Sequence, residues 1–205
     1  MSTTVNIYRG TGQKVITAVD EGRGAFAMWL VIGTEAALFV GLFSAYFLVG
    51  NNKSRWMMNK PPNLWYSLGL LGVMIISALF VIWGERLVRA EKYFTAKVAL
   101  AISFIVGLGF LVLQSFAFID HWSSLTPDSN SYGSIYYAIT MTHDAHVIAG
   151  LLMMGYVFFL PLGPRRHTPY RPYHVVALYW YFVTVVLVFV VVILSVIPNG
   201  IVYGY

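Results

Sequence analysis

Residues 24–50 read GAFAMWLVIGTEAALFVGLFSAYFLVG, an apolar run that carries one carboxylate, Glu35, near its middle. At about 1.5 Å per residue the run exceeds the roughly 30 Å of a bilayer's hydrocarbon, and Glu35 lies about 16 Å in, close to the midplane. Insertion scales put an acidic side chain at that depth at roughly 2.5–3.5 kcal/mol, so the residue needs a partner. Two roles remain open for it. Glu35 either handles protons together with a group on another helix, or is a neutral acid whose hydrogen bond locks helix packing.

The rest of the chain has the same character. Of its 205 residues 59% are hydrophobic and 10% charged, where a soluble domain has about 25% charged, which marks an integral membrane protein. The formal charge of +5 is spread over short segments between apolar runs rather than gathered on one patch, which argues against nucleic-acid binding. Without cysteine the chain has no disulfide, thiolate metal site, cysteine-ligated iron-sulfur cluster or c-type haem attachment. Residues 1–23 are polar, and the run that follows is too long for a signal-peptide core and lacks an A-x-A cleavage pattern.

Five apolar runs, at about 24–50, 63–85, 96–119, 134–161 and 173–197, predict an all-α bundle of five transmembrane helices occupying 24–198. Short tails at 1–23 and 199–205 flank it. Arg9, Lys14 and Arg23 in the first tail fall on one side with Arg86, Arg89, Lys92 and Lys97 of the second loop and Arg165, Arg166 and Arg171 of the fourth. Only Lys53, Arg55 and Lys60 fall on the other, so the positive-inside rule places the N-terminus in the cytoplasm and the C-terminus outside. No internal repeat or low-complexity run is visible.

Gly33, Ala37 and Gly41 form a small-xxx-small stripe suited to close approach by another helix, and Glu35 lies off it. Trp56 and Trp65, beside basic residues and a Pro pair, are expected at headgroup depth. Trp83, Arg86 and Arg89 close the second run at the cytoplasmic boundary, where they can meet phospholipid headgroups. In the third run Gln114 is expected near the outer end, bridging helices. The fourth run holds His143, Asp144 and His146 some 13–18 Å from the outer surface. The two histidines, three apart, are expected on one face, and Asp144 points about 160° from His146, so a further polypeptide is expected over the acid.

Glu35 and His146 reach similar depths from opposite sides, which allows an acid–imidazole pair between antiparallel helices, either proton-handling or structural. H-x-x-H alone, with no H-E-x-x-H pattern, no second Glu-x-x-His and no Cys, points away from a metal. His121 and His167 fall in loops and His174 opens the fifth run, which leaves no matched pair for haem. That fifth run, rich in Val with Thr184 as its main interior polar group, is expected to be the most lipid-exposed or partner-packed helix. No chemistry attaches to Tyr173, Tyr179, Trp180 and Tyr181. A self-sufficient transporter would want mid-span helix breaks or a pseudo-repeat, and neither is evident.

In order along the chain, WLVIGTEAALFVGLFSAYF, LQSFAF, YGSIYYAITMTHDAHVIAGL and YWYFVTVV resemble subunit III of haem-copper terminal oxidases. The resemblance implies an accessory, non-catalytic chain beside subunits I and II of an oxidase in a bacterial cytoplasmic membrane. The resemblance further implies that the chain binds no redox cofactor or metal itself, haems and copper being expected in the partner subunits. It also implies structural lipids and support of proton uptake and sustained turnover. Glu35 corresponds to the family's intramembrane glutamate, Gln114 to the L-Q glutamine, and His143 and His146 to the H-x-x-H-V histidines. Departures fall at Ala117, where an acid commonly follows L-Q, and at Tyr181 and Thr184, where the last helix usually reads W-H-F-x-D. His174 stands where longer members have Glu, and Asp144 has no counterpart. The resemblance leans toward cytochrome c as donor. A quinol oxidase and a nitric-oxide-reductase-associated relative share the fold.

Overall fold

The computed structural model describes residues 18–51, 63–122, 131–160 and 170–198. They form five helices: α1 (Ala18–Asn51), α2 (Leu64–Arg89), α3 (Tyr93–Trp122), α4 (Ser131–Phe159) and α5 (Tyr170–Val191), the last running on through a π-helical turn, Val192–Val196. The helices overrun the apolar runs at most ends because intrahelical hydrogen bonds continue past the hydrocarbon boundary. Arg86 and Arg89 therefore lie in α2 and Lys97 in α3, not in a loop, and α1 begins inside the segment expected as a tail. His121 is helical backbone of α3, again not loop. Its side chain, Trp56, His167 and the two expected tails up to residue 17 and from 199 lie outside the described residues.

Among the described residues, four segments are long and apolar enough to span by composition: Gly24–Gly50, Leu64–Arg89, Tyr93–Asp120 and Arg171–Val196. α4 matches them in length, but His143, Asp144 and His146 lower its hydropathy. α2 and α3 join through a tight turn. Lys92 N–H bonds to the Leu87 carbonyl and Glu91 N–H to that of Val88, with Glu91 at φ 59°. This is a Schellman closure with Glu91 in the left-handed position usually given to glycine.

α5 overturns its expected exposure. It packs on α1, α2 and α4, and 61% of its span is buried against 11% for α1. Lipid and neighbouring helices are equally apolar, so hydropathy does not tell which of them covers a run of valines. The seam is keyed by Trp180, which is fully buried and seated where a Cβ on Gly150 would stand 2.7 Å, and one on Gly107 3.1 Å, from its ring. Its Nε1–H donates to Ser77 Oγ at 3.1 Å, and Ser77 and Ser103 bond each other between α2 and α3. Among the described residues no other helix closes on the small-residue stripe of α1, for a Cβ on Gly33 or Gly41 would meet nothing within 4 Å.

Candidate functional site

α1 crosses the bundle so that Glu35 faces α4, and its Oε2 lies 2.9 Å from His146 Nε2. The other imidazole nitrogen, Nδ1, is 2.7 Å from the Thr142 carbonyl one turn back. A carbonyl only accepts, so Nδ1 carries a hydrogen, and the proton between Nε2 and the carboxyl is shared by that pair. Phe39, one turn beyond Glu35, is buried and stands edge-on to the His146 ring at 5.1 Å. Tyr179 of α5 donates to the His146 carbonyl at 3.4 Å. The imidazole is 14% exposed and the carboxyl 32%, so the pair sits at a helix seam with one edge toward the α1 surface.

The two histidines of H-x-x-H do not converge. His143 points toward α5, its Nε2 3.2 Å from the Val183 carbonyl, with Phe110 of α3 edge-on at 5.9 Å. Its Nδ1 is 3.7 Å from Asp144 Oδ1. Asp144, expected to face a further polypeptide, is covered from within the chain. Its side chain is 14% exposed and lines a cavity of about 50 Å³ among α2, α3, α4 and α5. Periodicity gave the angle between Asp144 and His146 but not the identity of the neighbours, and both side chains, each 14% exposed, find cover within the bundle. Gln114, buried on α3, lines the same cavity, as does Ala117.

A third acid–imidazole pair escaped the sequence reading. Glu85, buried on α2, accepts from His174 Nδ1 at 2.8 Å and from Arg89 at 3.2 Å on Oε1, and from the Tyr181 hydroxyl at 3.0 Å on Oε2. Tyr181, one of the departures from the W-H-F-x-D pattern, still supplies a polar group, whereas Thr184 bonds back to the Trp180 carbonyl of its own helix. Glu85 was hidden among charges at headgroup depth. The available signal was its match in level with His174 at the start of α5. Trp83 is exposed beside Phe80, and the Arg89 side chain is 63% exposed while bonded to Glu85.

No group of three or more His, Cys, Asp or Glu able to hold a metal occurs among the described residues. Both histidines of α4 have their ring nitrogens directed at protein groups, carbonyl oxygens and carboxyls. The arrangement can store or pass protons and fasten helices.

No family model matches the chain. It is similar to the cytochrome c oxidase subunit 3 of Bacillus subtilis, 27% identical over 179 residues that cover 83% of this chain and 84% of that protein. The cytochrome c oxidase subunit 3 of Synechocystis sp. is 30% identical over 171 residues, covering 78% and 70%. The cytochrome bo(3) ubiquinol oxidase subunit 3 of Buchnera aphidicola is 27% identical over 158 residues, covering 75% and 74%.

Proposed function

The chain belongs to the cytochrome c oxidase subunit 3 family, and from that membership we propose that it is the accessory, non-redox subunit of a proton-pumping haem-copper oxygen reductase. It packs on the catalytic subunit, in a complex with subunits I and II, in a bacterial cytoplasmic membrane. Haems and copper reside in those partners. The observation that supports the reading is the Glu35–His146 contact at 2.9 Å, an acid–imidazole pair near the middle of the apolar span of α1. There the pair supports proton uptake by the catalytic subunit and protects sustained turnover.

The Lys and Arg distribution supports an N-terminus in the cytoplasm, which puts Trp83, Arg86 and Arg89 at the inner headgroup level as contacts for phospholipid. Cytochrome c is the proposed donor. The quinol oxidase relative is the specific observation that keeps a second reading, subunit III of a quinol oxidase, beside it.

The test is a mild-detergent pull-down of the chain from native membranes, read by visible absorption and mass spectrometry. Haem bands with a large multi-helix partner are expected, and a cytochrome or quinol-site subunit among the accompanying chains identifies the donor. A colourless protein without partners overturns the reading and makes Glu35 and His146 candidates for transport by this chain alone.

A further inference from the structure

The Glu35–His146 pair leaves the other end of α4 unused, and that end has its own apparatus. The cavity among α2–α5 has its rim at Asn63, which is exposed, and Tyr66, 37% exposed, and its floor at His143, which is 1% exposed. Its polar lining comes from every wall: Gln114 on α3, Thr140 and Asp144 on α4, and Ser67 on α2 bonded to Ser195 of the π turn at 2.8 Å. About 50 Å³ is room for a few waters, each of which needs polar partners such as these. The π turn is part of the wall. The Ile197 N–H reaches the Val192 carbonyl five residues back, and Leu194 and Ser195 line the cavity. Single π turns inside α-helices recur at functional sites.

We infer that this cavity is a hydrated proton-exchange site in which Asp144 and His143 together take a proton from, and return it to, water at the end of the bundle bearing Asn63. The hydrogen bonds set the chemistry. His143 Nε2 faces the Val183 carbonyl and so keeps its hydrogen, leaving Nδ1, which faces Asp144, as the nitrogen that gains or loses one. At 3.7 Å Nδ1 and the carboxyl oxygen are too far apart for a direct hydrogen bond, which leaves both to meet water in the cavity. Around Asp144, α4 contributes His143 and Tyr136 as titratable groups and α2 contributes Tyr66 at the rim. α3 lines the cavity with Phe110, Gln114 and Ala117, and the end of α5 with apolar residues and Ser195. Asp144 is therefore the one carboxylate lining the cavity among the described residues. Ala117 faces the same space from α3, so a carboxylate placed there would enter the same waters.

The test is infrared difference spectroscopy of the full chain in lipid nanodiscs, titrated with pH in H2O and D2O. The unmutated chain is expected to show a carboxyl band and an imidazole band that change together and shift promptly in D2O. Asp144→Asn is expected to lose both changes, and Ala117→Glu in that background to restore a carboxyl band at a shifted frequency. Should Asp144→Asn not fold, carboxyl-labelled aspartate in the unmutated chain assigns the band instead. The inference is overturned by a labelled band that ignores pH, by exchange that takes hours, by a spectrum that Asp144→Asn leaves unchanged, or by a band that follows sodium concentration in place of pH.

Discussion

His146 Nε2 and Glu35 Oε2, 111 positions apart in the chain, stand 2.9 Å apart between α1 and α4. The bond ties to the bundle the least buried of the four apolar spans. Glu35→Gln keeps the volume and a hydrogen-bonding head, so the chain should assemble normally and lose activity sooner under prolonged turnover. Glu35→Ala leaves the imidazole without its partner, at a cost of about 1–2 kcal/mol. Thermal unfolding in detergent, with time courses of oxygen consumption by the complex, separates the two.

Glu85 joins three donors on one carboxylate, so its contacts act as a unit. Glu85→Ala should destabilise by about 2–4 kcal/mol and Tyr181→Phe by about 1–2 kcal/mol. The double variant should be scarcely worse than Glu85→Ala alone. Additive losses in denaturation would show that Tyr181 does not act through Glu85.

Gly150→Ala drives a methyl group to 2.7 Å from the Trp180 ring, which is held on its other sides by Gly107 of α3 and the bond to Ser77 of α2. A loss of about 1–3 kcal/mol is expected, with a changed tryptophan emission. Gly33→Ala and Gly41→Ala, open on the outer face of α1, should leave the stability of the chain in detergent unchanged.

Glu91 holds φ 59° in the α2–α3 turn without a glycine's freedom. Glu91→Gly should raise stability by roughly 0.5–1 kcal/mol, read as a higher melting temperature, because the left-handed position penalises any Cβ.

Length and hydropathy made five helices legible, and depth counted from each surface brought Glu35 opposite His146 before any coordinates. What depth could not supply was rotation. Asp144 faces inward toward Gln114 and α5 is sheathed by its neighbours, and neither is encoded in an apolar pattern when lipid and protein present the same surface to a valine. Glu85 was missed for a different reason: at the headgroup level a carboxylate among arginines looks solvated, and only the arrival of His174 and Tyr181 from α5 shows it to be enclosed.

The sharing of one proton by Glu35 and His146 has an electrical consequence. An imidazole and a carboxyl with one proton between them carry no net charge, whichever atom holds it. A full charge carried across the bilayer couples to the field by about 2.3 kcal/mol per 100 mV. Even aligned with the membrane normal, a hop of 2.9 Å covers about a tenth of the ~30 Å hydrocarbon, so 100 mV acts on it with about 0.2 kcal/mol, below thermal energy. The division of the proton between the two partners is thereby insulated from a membrane voltage, and remains the same in an energised membrane as in a collapsed one.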